Sequence, residues 1–442
     1  MELLQATAEG RFDDVRKLLQ NSKINTNWQD SESRTAFCLS CQNGQIGLVN
    51  LLLEDKRVDV NKPSKYGQTP FYIACHYGQI EVVRILLSEK RVDVNKAMSD
   101  DTTPLFVACQ NKRIDIVKLL LEDKRVEPNR ANKNEATPCY IACENGHVEI
   151  MELLLNDKRA DLNKPYIDGK TPFFIACEKG NTGVVRLLLS DDKRVDVNKA
   201  NKVDQTPFLI ACFYGHTEIA KLLLGDKRID INKADKYGVT PFYISCQEGR
   251  IEIVKLLLND ERIDLNKANK NEATLFYSAF YVACQEERTE VLKLFLNDKR
   301  IDINKADKKG ITPFYFACQE GYTEIVKLLL NDKKVDINKA GGEGITPFSI
   351  TCQEGYNEIV KLLLNDKRVD INKVDKYGAT PLYNACRFEL IEIVQLLLSD
   401  VRISIRKKTN KGKTALDIAN EKNHSDIVEL IKKVDTGNYP FQ

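Results

Sequence analysis

Cysteine recurs along this chain with a period. Of 13 cysteines, 11 fall at positions 41, 75, 109, 143, 177, 212, 246, 284, 318, 352 and 386, in steps of 34 interrupted by one step of 35 and one of 38. A period in that range marks a repeat architecture, in which each repeat is one supersecondary element and the core forms only between stacked neighbours. Charge adds a second constraint. With 66 basic and 64 acidic residues the net charge is +2, so the global field favours neither nucleic acid nor a membrane surface. No apolar run approaches the roughly 18 residues of a membrane span. The opening residues, Met-Glu-Leu-Leu-Gln-Ala-Thr-Ala-Glu-Gly, lack the apolar core of a secretory leader. The expected location is the cytoplasm, with the nucleus as the alternative.

Each repeat opens on a threonine: Thr35, Thr69, Thr103, Thr137, Thr171, Thr206, Thr240, Thr274, Thr312, Thr346, Thr380 and Thr414. One repeat reads Thr240-Pro-Phe-Tyr-Ile-Ser-Cys-Gln-Glu-Gly-Arg-Ile-Glu-Ile-Val-Lys-Leu-Leu-Leu-Asn259. Thr before Pro is a helix start, because Thr caps and the missing proline N–H costs nothing at the first helical position. Gly nine residues later suits a left-handed C-cap. The first helix is therefore about two turns long and apolar nearly all round, the pattern of an element buried on several sides. The second helix is amphipathic, with Ile251, Val254 and Leu258 on one face and Glu252 and Lys255 on the other. Neither is stable alone. The tract that follows is rich in Asp, Asn and Gly and suits turns and a protruding β-hairpin.

Thr-Pro-Phe-Tyr-Ile-Ala-Cys-x-x-Gly, followed by Glu-Ile-Val-Lys-Leu-Leu-Leu and Asp-Ile-Asn, resembles the ankyrin repeat across essentially the whole chain. The resemblance implies an all-α ankyrin-repeat solenoid of 13 helix-pair units with short β-hairpin connections, elongated and curved. It also implies a protein partner bound on the concave surface, as a non-catalytic scaffold or adaptor. Two departures are systematic. The family histidine is replaced by Tyr72, Phe106, Tyr140, Phe174, Tyr243, Tyr281, Tyr315 or Tyr383, which removes its usual polar link to the next hairpin. One extra residue before Asp-x-Asn gives a period of 34 where the family has 33.

Residues 1–34 read as an N-terminal cap, with Thr7 in the cysteine register. Residues 35–413 read as internal repeats, and 414–442 as a C-terminal cap and frayed tail, with Asn420 replacing the cysteine. The sixth repeat has one extra residue in Ser190-Asp-Asp-Lys-Arg194, read as a longer surface loop. The ninth, 274–311, is the main anomaly. It has four inserted residues, no helix-start proline, and Glu287 at the glycine position, a site Lys112, Glu389 and Asn423 also fill. The expectation is a first helix lengthened toward the hairpin, with locally disturbed stacking. The alternative is a looped-out turn.

The cysteines do not read as metal or disulfide sites. Equivalent helices of neighbouring repeats lie about 8–10 Å apart, whereas a disulfide needs Cα atoms within about 7 Å. Zinc requires facing Cys pairs, which the spacing does not supply. They read as small buried hydrophobes in a reducing compartment. His147, His216 and His424 follow the glycine position and read as structural. No nucleophile triad or phosphate loop is present, so no catalytic residue, cofactor, metal or small-molecule substrate is expected. A monomer is expected.

Candidate contact residues stand where the register breaks its polar monotony: His76 and Tyr77 beside Tyr66, Phe213 and Tyr214 near Tyr237, and Arg387 and Phe388 near Tyr377. Exposed aromatic and Arg side chains are common interface anchors; the alternative is that these rings fold back on their neighbours. A basic cluster, Arg402, Arg406, Lys407, Lys408, Lys411 and Lys413, has no acid between Asp400 and Asp417. It supports a second reading: a targeting or structural element engaging an anionic partner (nucleic acid, acidic protein or membrane surface), although overall charge disfavours nucleic acid.

Overall fold

The computed structural model describes residues 1–190, 194–263, 265 and 274–436. Among these are 26 α-helices and one 3-10 turn, Gly342–Gly344. The chain divides into two compact halves, Met1–Pro241 and Phe242–Gln442.

In the N-terminal half, short inner helices pack on one another in succession: Ala36–Gln42, Pro70–Tyr77, Pro104–Gln110, Pro138–Glu144, Pro172–Glu178 and Pro207–Tyr214. Outer helices such as Ile46–Glu54, Ile80–Ser88 and Ile114–Glu122 form a second row behind them. The C-terminal half repeats the arrangement, for example with Pro313–Glu320 on Pro347–Glu354 and Pro381–Arg387 on Ala415–Glu421. The threonine signal acts as its chemistry requires. Thr69 Oγ1 accepts the Tyr72 backbone N–H at 3.1 Å, satisfying a donor the helix cannot pair itself. Thr35, Thr103, Thr137, Thr171, Thr206, Thr274, Thr312, Thr346, Thr380 and Thr414 make the same bond. The chain then reverses in the left-handed region, where Gly78 has φ 82° and Gly215 φ 77°. Lys112, Glu287, Glu389 and Asn423 hold the same conformation at φ 54°, 53°, 61° and 63° despite their Cβ atoms.

All 13 cysteines are buried and unbridged. Eight of the 11 register cysteines share the core with a buried phenylalanine four residues earlier, such as Phe71, Phe173, Phe208 and Phe242. Burial pushes the thiols of Cys139, Cys318 and Cys386 up to about 12, which keeps them protonated and unreactive. The terminal repeats differ. Val15 is the buried side chain of Phe12–Gln20, and Asn420, at the cysteine register, faces solvent.

The expected β-hairpins are absent as strands: among the described residues only an isolated bridge, at Thr274, is extended in that sense. Each described tip is a tight turn. Asp235 Oδ1 accepts the backbone N–H groups of Tyr237 and Val239, both at 2.9 Å. The side chain thus takes donors that a strand pair would otherwise satisfy. Most successive described tips are joined by a single backbone bond, as from Ser99 N–H to the Tyr66 carbonyl at 3.0 Å, which is too little for a ladder.

Two side-chain links recur between repeats. In the Asp-Lys-Arg tract the guanidinium grips its own Asp and reaches the C-terminal carbonyl of the preceding outer helix. Arg125 Nη2 donates to the Leu87 carbonyl at 2.6 Å and to Asp123 at 2.7 Å. The Asn of Asp-x-Asn bridges forward: Asn61 Nδ2 donates to the Arg91 carbonyl at 2.6 Å, and its Oδ1 accepts the Asp93 N–H at 2.9 Å. At Glu89 the longer acid breaks the pattern, leaving Arg91 Nε and Nη1 buried without a hydrogen-bond partner.

The ninth repeat has the expected longer helix. Leu275–Gln285 spans 11 residues where inner helices such as Pro241–Gln247 and Pro313–Glu320 have seven or eight. The outer link survives the insertion, since Arg300 still donates to the Leu258 carbonyl, 42 residues away instead of the usual 38. The extra turn carries Phe276, so the repeat buries both Phe276 and Phe280. Phe295 fills a position that is Leu in the ten other repeats carrying the register cysteine. It meets Phe276 edge-on at 5.3 Å and Phe242 at 6.0 Å. The sixth repeat's extra residue falls at 191–193, outside the described residues, as do most of the 264–273 tract and the tail beyond 436. Its link also survives, from Arg194 to the Leu155 carbonyl 39 residues away.

Candidate functional site

The aromatic candidates reach the surface because they sit where the repeat leaves the core. Tyr66, Tyr237 and Tyr377 occupy turn tips, Tyr77 and Tyr214 end inner helices, and Phe388 follows one. Their exposures are 55%, 74%, 57%, 49%, 46% and 52% respectively. His76 and Phe213 are half-buried and Arg387 is exposed.

The structure assembles the first patch. Tyr66, His76 and Tyr77 line one cavity of about 170 Å³ with Glu32, Arg34 and Gln68. His76 packs edge-on against Tyr77 at 4.9 Å. Asn111 lies 3.2 Å from its Nδ1, and Arg113 donates to its carbonyl at 3.1 Å. Burial, then the nearby Arg113 charge, hold the imidazole below its ordinary value. Asn111 and Arg113 brace the patch from the next repeat. In the second patch Phe213 and Tyr214 meet edge-on at 4.9 Å, while Tyr237 lies under Lys236 at 4.8 Å. In the third, Arg387 lies over Phe388 at 5.5 Å and Lys376 over Tyr377 at 4.9 Å. No ring contact joins Tyr377 to Phe388 among the described residues.

The basic cluster is largely engaged by the protein itself. Arg402 grips Asp400 and the Leu364 carbonyl, both at 2.6 Å. Arg406 pairs with Asp435 at 2.8 Å, Lys407 donates to the Asn372 carbonyl at 3.0 Å, and Lys413 pairs with Glu421. Lys408 and Lys411 lie close enough to help hold Asp417 and Glu421 below the usual carboxylate range, behind the hydrogen bonds from Thr414 and Lys413 that dominate.

A second concavity, of about 550 Å³, runs along the tips and inner helices between Gln68 and Lys179. Tyr140 and Tyr166 stack there at 4.9 Å and 16°. Sequence reading passed over it because its polar positions follow the repeat pattern one by one, and only stacking brings them together.

Overlapping matches to a family model described as ankyrin repeats, three copies at a time, run without a gap from residue 3 to residue 438. The chain belongs to the ankyrin repeat family. Ankyrin repeats are generally protein–protein interaction modules, and the family is typically non-catalytic. No curated protein matches the chain. Two local features take on meaning within this ankyrin framework. Where the family has its histidine, Tyr140 reaches the following tip by ring stacking on Tyr166. At three of the positions that follow the ankyrin glycine site, histidine ties its repeat to the one before: His147, His216 and His424 lie 3.3, 2.9 and 2.9 Å from the carbonyls of Gln110, Glu178 and Cys386. No helix among the described residues is long and apolar enough to cross a membrane.

Proposed function

We propose that this ankyrin chain is a cytoplasmic, monomeric, non-catalytic scaffold or adaptor of 13 repeats, and that it holds a protein partner on the face formed by turn tips and inner helices. The observation that carries this reading is the exposure of six large aromatic side chains at turn tips and at or just after inner-helix ends, two of them with His76 around a cavity. Exposed rings on a braced surface lose little freedom on binding and are efficient anchors. The alternative reading, an anionic partner at residues 402–413, has less support, because four of the six basic groups already serve carbonyls or carboxylates of the chain.

The test is affinity capture from the native cell with the intact chain and with Phe213→Ala/Tyr214→Ala. The double variant is expected to lose more than about 2 kcal/mol of partner affinity. Unchanged capture by a folded double variant removes that patch. Capture that collapses with added salt and tracks the 402–413 basic residues transfers the function to the anionic reading.

A further inference from the structure

The concavity between Gln68 and Lys179 has a definite chemical character. Four carboxylates, from Asp100, Glu144, Asp168 and Glu178, face two ammonium groups, from Lys170 and Lys179. Lys170 is already committed, lying 3.1 Å from Asp168 and 3.0 Å from Glu178. Among the described residues no cation pairs with Glu144. It sits half-buried one turn after Tyr140, beside the Tyr140–Tyr166 stack. A carboxylate next to a stacked pair of phenol rings offers what a planar cation needs: a flat π face and an acceptor for two N–H groups. Lysine, a compact ammonium, uses the face and the acceptor less well.

The rest of the concavity sets a second requirement. Met98 is half-buried at its other end, beside the buried rings of Tyr72 and Phe106; Tyr72 and Met98 lie two repeats before Tyr140 and Tyr166 respectively. Two repeats correspond to about 20 Å at helix-packing distances, which an extended chain covers in about six residues.

We infer that this concavity takes an extended segment of a partner protein bearing an arginine, its guanidinium on the Tyr166 ring against Glu144, with an apolar side chain about six residues away against Met98. The inference deepens the scaffold reading and rests on it.

The experiment titrates the full chain with a fluorescein-labelled Gly/Ser peptide containing one Arg and one Leu six positions apart, read by fluorescence anisotropy. Saturable binding is expected, weakened about tenfold by Arg→Gln or Leu→Gly in the peptide, and about tenfold by Tyr166→Ala or Glu144→Gln in the protein. An Arg→Lys peptide is expected to fall between the parent and the Gln peptide. Thermal melts confirm that the protein variants are folded; the half-buried Glu144→Gln keeps shape and hydrogen-bonding capacity, so the test survives if Tyr166→Ala does not fold. The inference is overturned if the peptide does not saturate, if an Arg→Glu peptide binds equally well, or if folded Glu144→Gln binds unchanged. If the peptide fails while cellular capture still depends on Phe213 and Tyr214, this inference falls and the scaffold reading stands.

Discussion

At the scale of single residues, four side chains occupy a backbone conformation that glycine holds in most repeats. Glu287 is exposed at φ 53°. A Cβ there costs about 1–2 kcal/mol, part of which glycine returns as greater freedom in the unfolded chain. Glu287→Gly is therefore expected to raise stability by about 1 kcal/mol in urea unfolding, although it removes a charged side chain and adds no contact. A loss of stability would show that Glu287 makes a compensating interaction. The threonine caps and the left-handed glycines were legible from sequence because their chemistry is local: donor and acceptor lie within three residues. The reach of Arg125 to Leu87 was not, since the partner is 38 residues away and adjacent only once the repeats stack. The sequence does place a basic residue near helix ends, but not the helix it serves.

At the scale of elements, the inserted turn in Leu275–Gln285 was legible as a count of four residues. How it is accommodated was not. The signal lay in Phe295, a lone Phe in a column of Leu, and its meaning depends on Phe276 having been added opposite. Conforming Phe295 to its column is expected to be destabilising: Phe295→Leu leaves a gap beside Phe276 and Phe242 and costs about 1–2 kcal/mol. Chemical denaturation of the variant checks this, and a neutral or stabilising result would mean that the ring cluster carries no net packing energy. The hairpins fell short of expectation for a related reason. Asp235 and its equivalents satisfy the tip donors from within, so the turn closes without a partner strand.

At the scale of the whole molecule, stability is distributed over links that recur once per repeat. Many depend on an ionised carboxylate. The hydrogen bond from the neighbouring Arg holds Asp55, Asp123, Asp226, Asp260, Asp298, Asp366 and Asp400 below the usual carboxylate value, and Glu89 at about 2. A carboxylate with a depressed folded value contributes stability above its unfolded value near 4 and loses it as pH falls through the folded value. Thermal stability is therefore expected to be flat down to about pH 5 and to fall steeply between about pH 4 and pH 2. Asn in place of several of these Asp residues should flatten that limb, and an unchanged acid limb would assign the acid sensitivity elsewhere. Much of the candidate surface was visible at this scale, because Tyr66, His76 and Tyr77 share one register step and must converge. The concavity from Gln68 to Lys179 was hidden, because it belongs to five successive repeats jointly and to none individually.

The cysteine column has one further consequence. Because each internal repeat seals its own thiol beneath its own pair of helices, the folded chain is silent toward alkylating agents and oxidants. Opening a single internal repeat delivers its register sulfhydryl to solvent, so the number of modified register sulfurs, with Cys38 and Cys139 set aside, is a tally of opened internal repeats. Their identities form a map of where along the array the opening began.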